Sequence, residues 1–171
     1  VTHEGHPLPE LAAGLGAATL SGTVGTPEAG GYYRQVSGAS NLGDLEVWTA
    51  PTVEKVLRTM AVPVASGPLR IAAARGEFEP FQIVLRAPSA RSVTVQTSAL
   101  VKGSDAVPAP TMHRVDYVTI STAGDHYDRL GAWPDPLWPL DSGGSLSLPA
   151  GQNQPLWLTV HVGHFPMDMP L

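Results

Sequence analysis

The amino-acid sequence predicts an all-β protein: an antiparallel two-sheet sandwich with a long Pro/Trp-rich loop and an irregular N-terminal arm. Three observations carry this expectation. Phe81, Ile83, Leu85 and Ala87 alternate with Gln82, Val84 and Arg86, and successive side chains of a strand point to opposite faces. Leu156, Leu158, Val160 and Val162 alternate in the same way with Trp157, Thr159 and His161. Finally, 18 Gly and 17 Pro among 171 residues disfavour helix interiors and long central strands, and favour short strands joined by turns. Two stacked layers of such strands would bring Phe81, Ile83 and Leu85 against Leu158 and Val160 in the interior.

Composition narrows the functional classes. A 171-residue chain with 43% hydrophobic residues suits one domain with a core. The formal net charge of -5 argues against a nucleic-acid partner, which selects a basic face. Basic residues are few and scattered, so an anionic membrane surface is also not the expected partner. No apolar run has the length of a membrane span. The absence of cysteine excludes disulfides, thiolate metal sites and cysteine nucleophiles. The chain begins at Val1 without the pattern of a signal peptide, so a processed or trimmed start is expected.

Residues 1–44 are rich in Ala, Gly, Thr, Ser and Pro. They read as an irregular arm, with a short helical piece over residues 9–15. His3 and His6 there read as a solvated tail rather than a metal site. The sandwich domain is expected over residues 45–171. Leu45 and Val47 share one face of its first strand and Trp48 takes the other, up to Pro51. Residues 53–60 fit helix or strand by periodicity, and the flanking Pro51 and Pro63 with the β-branched content favour a strand. Within the stretch Ile71–Pro88, a short apolar run over residues 71–74 breaks at a sharp reversal expected at Arg75-Gly76-Glu77, leading into the strand whose alternation runs from Phe81 to Ala87. Residues 92–100 alternate as a half-solvated strand with Val93, Val95, Thr97 and Ala99 on one face. Residues 102–105 read as a turn. Residues 111–121 place Val115 and Tyr117 on one face and Met112, Val118 and Ile120 on the other, as in a strand covered on both sides.

Residues 122–149 show no element of their own, and so long a loop is commonly functional. They hold Trp133, Trp138, Asp125, Asp128, Asp135 and Asp141, stiffened by prolines at 134, 136 and 139. Such a loop would wall a binding site or clamp a neighbouring domain.

Five segments follow one another in the chain: WTAPTVEKV at 48–56, AARGEFEPFQIVLRA at 73–87, VDYVTI at 115–120, WPDPLWPL at 133–140 and GQNQPLWLTVHV at 151–162. In this order they resemble the N-terminal β-sandwich domain that precedes the catalytic barrel in glycoside hydrolase family 123 and in related secreted proteins of unknown function. The resemblance implies a β-sandwich in an exported, secreted or cell-surface, bacterial protein acting on glycans. It also implies hydrolysis of an N-acetylgalactosaminide, with help from the substrate's acetamido group, by an Asp-Glu pair in the barrel. That pair has no positions to map onto in this chain. Residues 163–171 depart from the family's usual Pro/Gly/Tyr-containing continuation, so a fragment of a longer protein is expected.

The candidate site residues each have a simpler reading beside the functional one. Trp133, Trp138 and Trp157 would stack on sugar rings, with Asp135 beside them, or would be buried against the sandwich. Asp125, His126 and Asp128 would hold a divalent cation, with His161 and His164 as further ligands, or would make turn hydrogen bonds on a polar loop. Asp135 and Asp141 would serve as a glycosidic carboxylate pair only at a set separation, which a proline-rich loop does not provide. Glu77 and Glu79 would orient a ligand, or Glu77 would tie down its turn with Arg75 as a partner. Gly14-Leu15-Gly16 lacks the spacing of a phosphate loop, and no nucleophile elbow is present. The expected role is therefore a non-catalytic accessory domain without a cofactor, partnered by a following catalytic barrel or a neighbouring chain. A carbohydrate-binding module using the loop tryptophans and a structural or assembly subunit are the alternatives.

Overall fold

The computed structural model describes residues 13–15, 18–20, 33–34, 43–64, 69, 71–102, 105–122 and 130–163. Its strands in chain order are β1 (Ala13–Leu15), β2 (Ala18–Leu20), β3 (Tyr33–Arg34), β4 (Glu46–Ala50), β5 (Phe78–Arg86), β6 (Arg91–Val95), β7 (Leu100–Lys102), β8 (Asp105–Val107), β9 (Thr111–Ile120), β10 (Gly131–Pro139), β11 (Gly144–Leu148) and β12 (Asn153–His161). No described residue is helical, and the protein is all-β. A six-stranded sheet runs in the order β10-β9-β12-β5-β4-β3, and three two-stranded sheets accompany it: β11-β6, β7-β8 and β1-β2. Every pairing of these strands is antiparallel.

Alternation explains the centre of the large sheet. Phe81, Ile83 and Leu85 of β5 and Leu156, Leu158 and Val160 of β12 are buried in one apolar cluster. They share a face of one sheet, where Leu158 stands opposite Phe81 and Leu156 opposite Ile83. The expectation that these residues meet across two layers is thus corrected: they are cross-strand neighbours, a contact favoured by the pleat. The facing layer is supplied by Val95 of β6, Leu146 and Leu148 of β11, and Leu100 of β7. The other face of the large sheet carries a second cluster, in which Trp48, Ala50 and Val84 bury Val56, with Met60 and Val62 packed against them. Residues 51–62 therefore cover the back of the sheet.

Several local expectations change. Residues 53–60 form an irregular segment with turns rather than a strand. Their backbone groups are satisfied by side chains from distant strands, so they need no ladder. The 122–149 stretch is not one loop, because β10 and β11 lie inside it. Proline is tolerated in β10 because that strand is an edge and its outer row of donors has no partner to serve. A bulge falls between Pro134 and Leu137. Ala13–Leu15 is a strand rather than the end of a helix, and residues 9–12 lie outside the described residues. The run expected over 92–100 breaks after Val95, with Leu100 starting β7. Val118 is 43% exposed, so β9 is not covered on both faces at its far end. That end pairs only with β10, since β9 meets β12 through residues 111–114 alone.

The reversal before β5 forms as its sequence demands. Glu77 N–H donates to the Ala74 carbonyl at 3.2 Å, and Gly76 has a φ of 78°. A positive φ at the third position of a four-residue turn defines type II geometry and selects glycine.

Candidate functional site

The site grows from the segment after β4. Pro51 ends the strand, and two tight turns follow: Glu54 N–H donates to Pro51 O at 3.1 Å and Met60 N–H to Leu57 O at 3.1 Å. Four carbonyls of the segment then receive side-chain amides from the sheet beneath. Gln82 Nε2 donates to Pro51 O (2.7 Å) and Glu54 O (2.9 Å). Asn153 Nδ2 donates to Leu57 O (3.0 Å) and Met60 O (2.7 Å). The Asn153 backbone N–H adds a bond to Arg58 O at 2.9 Å. Both residues are buried, where an unmade bond to a polar group is costly.

The far end of β9 pins the segment from the side. Tyr117 Oη donates to Val56 O at 2.8 Å, and the Arg58 guanidinium carbon lies 4.0 Å from the centroid of the Tyr117 ring, a cation–π contact. Burial pushes the Tyr117 phenol up to about 12, with the Arg58 charge working against that shift and Asp116 adding to it. Lys55 closes the arrangement on β10. Its Nζ donates to Pro134 O at 3.4 Å and stands 3.6 Å from Asp135 Oδ1.

A cleft of about 560 Å³ results, with Val53, Glu54, Lys55, Leu57, Thr59 and Met60 on one side and Trp133 on the other. Its lining combines aliphatic side chains with one cation, one carboxylate and one hydroxyl, and Trp133 borders it.

The residues singled out from the sequence disperse. Trp133 and Asp135 meet around Lys55 at this cleft. Trp138 is 55% exposed and pairs with Arg114, whereas Trp133 pairs with Val118. Four strand residues separate those partners, roughly 13 Å at 3.3 Å per residue. Trp157 is half-buried opposite Gln82 and His113, so it and Trp138 lie on opposite faces of the sheet. Asp141 sits in the turn after β10, where its carbonyl accepts from Gly144 N–H, away from the Lys55 partner Asp135. His161 stacks on Phe78, with ring centroids 4.1 Å apart and planes 7° from parallel. The Glu77 carboxylate accepts the Ala74 N–H, so it ties down its own turn. Glu79 is pushed up from the ordinary carboxylate value, first by burial and then by the Glu77 charge. Asp125, His126, Asp128 and His164 lie outside the described residues, as do His3 and His6. Among the described residues, no group of three or more His, Asp or Glu could hold a metal ion, and no helix is long and apolar enough to cross a membrane.

The cleft wall at residues 53–60 escaped the sequence reading. Its one sequence signal is the bracket of Pro51 and Pro63 around a run whose period fits neither regular element. No protein-family model matches the chain, and no curated protein matches it.

Proposed function

We propose that this chain is the non-catalytic β-sandwich of an exported glycoside-hydrolase-like protein, and that it packs against a catalytic barrel or a neighbouring chain. One observation carries the reading. The five segments that resemble the glycoside hydrolase family 123 sandwich fall on β4 with the segment after it, β5, β9, β10 and β12. In the sheet these are neighbours, in the order β10-β9-β12-β5-β4. Residues far apart in the chain thus belong to one continuous surface, as expected of segments that share a single structural role.

The outer end of that sheet supports a packing role. Val118 of β9 and Trp138 of β10, 43% and 55% exposed, are large apolar side chains on one face of the sheet's outer end, and exposed apolar surface of this kind marks interaction surfaces. Pro134, Pro136 and Pro139 deprive the β10 edge of donors, so strand addition is disfavoured and a partner meets side chains instead.

The natural polypeptide should have an intact mass far above 17.9 kDa, and the purified 171-residue chain should release no product from a chromogenic N-acetylgalactosaminide. Turnover by the isolated chain would overturn the non-catalytic reading. A native mass equal to that of this chain would remove the barrel.

A further inference from the structure

We propose that a second copy of this chain docks on the open half of the back face of the large sheet, making the sandwich a homodimer. This goes beyond the accessory role: it concerns the face opposite Val118 and Trp138, and it needs no barrel. Strand register defines the surface. Phe78 stands opposite His161, Pro80 opposite Thr159 and Gln82 opposite Trp157. Thr159 also pairs with Thr111, and Trp157 with His113, which in turn pairs with Pro139. Cross-strand partners share a face, and the bond from Gln82 to Pro51 O puts this one on the side of residues 51–62. That segment seals Trp48, Ala50 and Val84 around Val56. Past Gln82 the face opens: Phe78 is 64% exposed, and Thr111, His161 and Pro139 are exposed with it.

The sheet residues of this open half include no Asp, Glu, Lys or Arg. A sheet face left in water normally turns polar residues outward. Here Phe78, Pro80, Trp157 and Pro139 occupy such positions. Depletion of charge together with aromatic side chains is the compositional mark of an interface core. Phe78 is also held in place, its ring stacked on His161 with centroids 4.1 Å apart and planes 7° from parallel. A side chain ordered before binding spends little entropy when the partner arrives.

Charge selects the occupant. The chain carries a formal net charge of -5, so two copies meet best where neither surface is charged. An oppositely charged partner would find nothing on this face to pair with. Its polar groups are Thr111, Thr159, His113 and His161, and a hydroxyl or a neutral imidazole both donates and accepts. Such groups complement themselves, whereas a carboxylate or an ammonium does not. A two-fold axis across the strands would stack the two open halves about 10 Å apart and set each 51–62 segment beyond the end of the other sheet. The surface spans four strands and four residue steps along β12, roughly 14 Å by 13 Å. That is small beside the ~800 Å² per partner of a standard stable interface, so the dimer should be reversible.

The test is sedimentation equilibrium of the full chain over roughly 5–500 µM, the range in which a reversible dimer forms and dissociates. The average mass should climb from 17.9 kDa toward twice that value and stop there, because a two-fold contact closes on itself. Phe78→Glu should weaken association by roughly tenfold or more, since docking would bury an unpaired carboxylate. Thr111→Glu, at another exposed position of the face, should weaken it as well and decides the matter if Phe78→Glu fails to fold. Trp138→Glu, on the opposite face, should associate as the parent does. The proposal is overturned if the parent stays monomeric over the whole range or assembles past a dimer. It is also overturned if a folded variant of the open half still associates as the parent does, or if Trp138→Glu abolishes association.

Discussion

Asn153 and Gln82 decide the path of a segment to which neither belongs. Each aims its amide at two backbone carbonyls of residues 51–60. Asn153→Ala should cost about 1–2 kcal/mol, because Leu57 O and Met60 O each lose one of two donors, Leu57 O keeping the Met60 N–H and Met60 O the Arg86 guanidinium; a lower urea midpoint with an unchanged slope would show it. Tyr117 makes a pH-dependent contribution. Its phenol is harder to ionise in the folded chain, at about 12 against an ordinary 10.0. The folded state holds its proton over a range in which the unfolded state has lost it. That stabilisation is complete below about pH 10 and disappears as the pH climbs to 12. Alkaline unfolding should flatten over that window in Tyr117→Phe, and an absorbance titration should lose its latest-ionising tyrosine. Little of this was legible in the sequence. Alternation placed Gln82 on the face away from the main core, where it does lie, but periodicity says nothing about which carbonyls a side-chain amide will find.

At the scale of elements, legibility followed burial. Strands β5 and β12 each have one face sealed by the main cluster, so their sequences alternate and their registers are fixed by that need. Strand β10 lies at an edge and bulges between Pro134 and Leu137, so it carries prolines and breaks its period. That is why WPDPLWP read as loop. The cleft wall was hidden for another reason: its bonds go to strands rather than to a repeat of its own. Two turns hold the elements in place. Gly76 adopts a φ of 78°, and its N–H donates to Val162 O at the end of β12. Gly76→Ala should cost about 1–2 kcal/mol through the left-handed backbone, measured as a lower melting temperature. Gly144 matters through space: a Cβ there would lie 2.8 Å from the Asp141 carbonyl oxygen and 2.9 Å from Leu140 Cδ1. Gly144→Ala should cost about 1–3 kcal/mol and displace the start of β11, visible as shifted amide resonances around Val95, whose carbonyl accepts the Gly143 N–H.

Over the whole molecule, stability should fall off from the centre of the large sheet toward β10. Strands β5 and β12 pair on both sides and are buried over most of their length. The outer half of β9 is held by β10 alone, with the Tyr117 and Lys55 contacts beneath it. Native-state hydrogen exchange should be slowest at residues 81–85 and 156–160 and several-fold faster at 116–120; equal protection in both regions would contradict this gradient. The pinning of residues 51–60 has one more consequence. Gln82 and Asn153 grip main-chain oxygens, which every amino acid carries, so the frame does not read the identity of the outward residues Val53, Lys55 and Thr59. Those positions can be exchanged like type in a fixed printer's forme, and libraries randomised there should leave the sandwich folded.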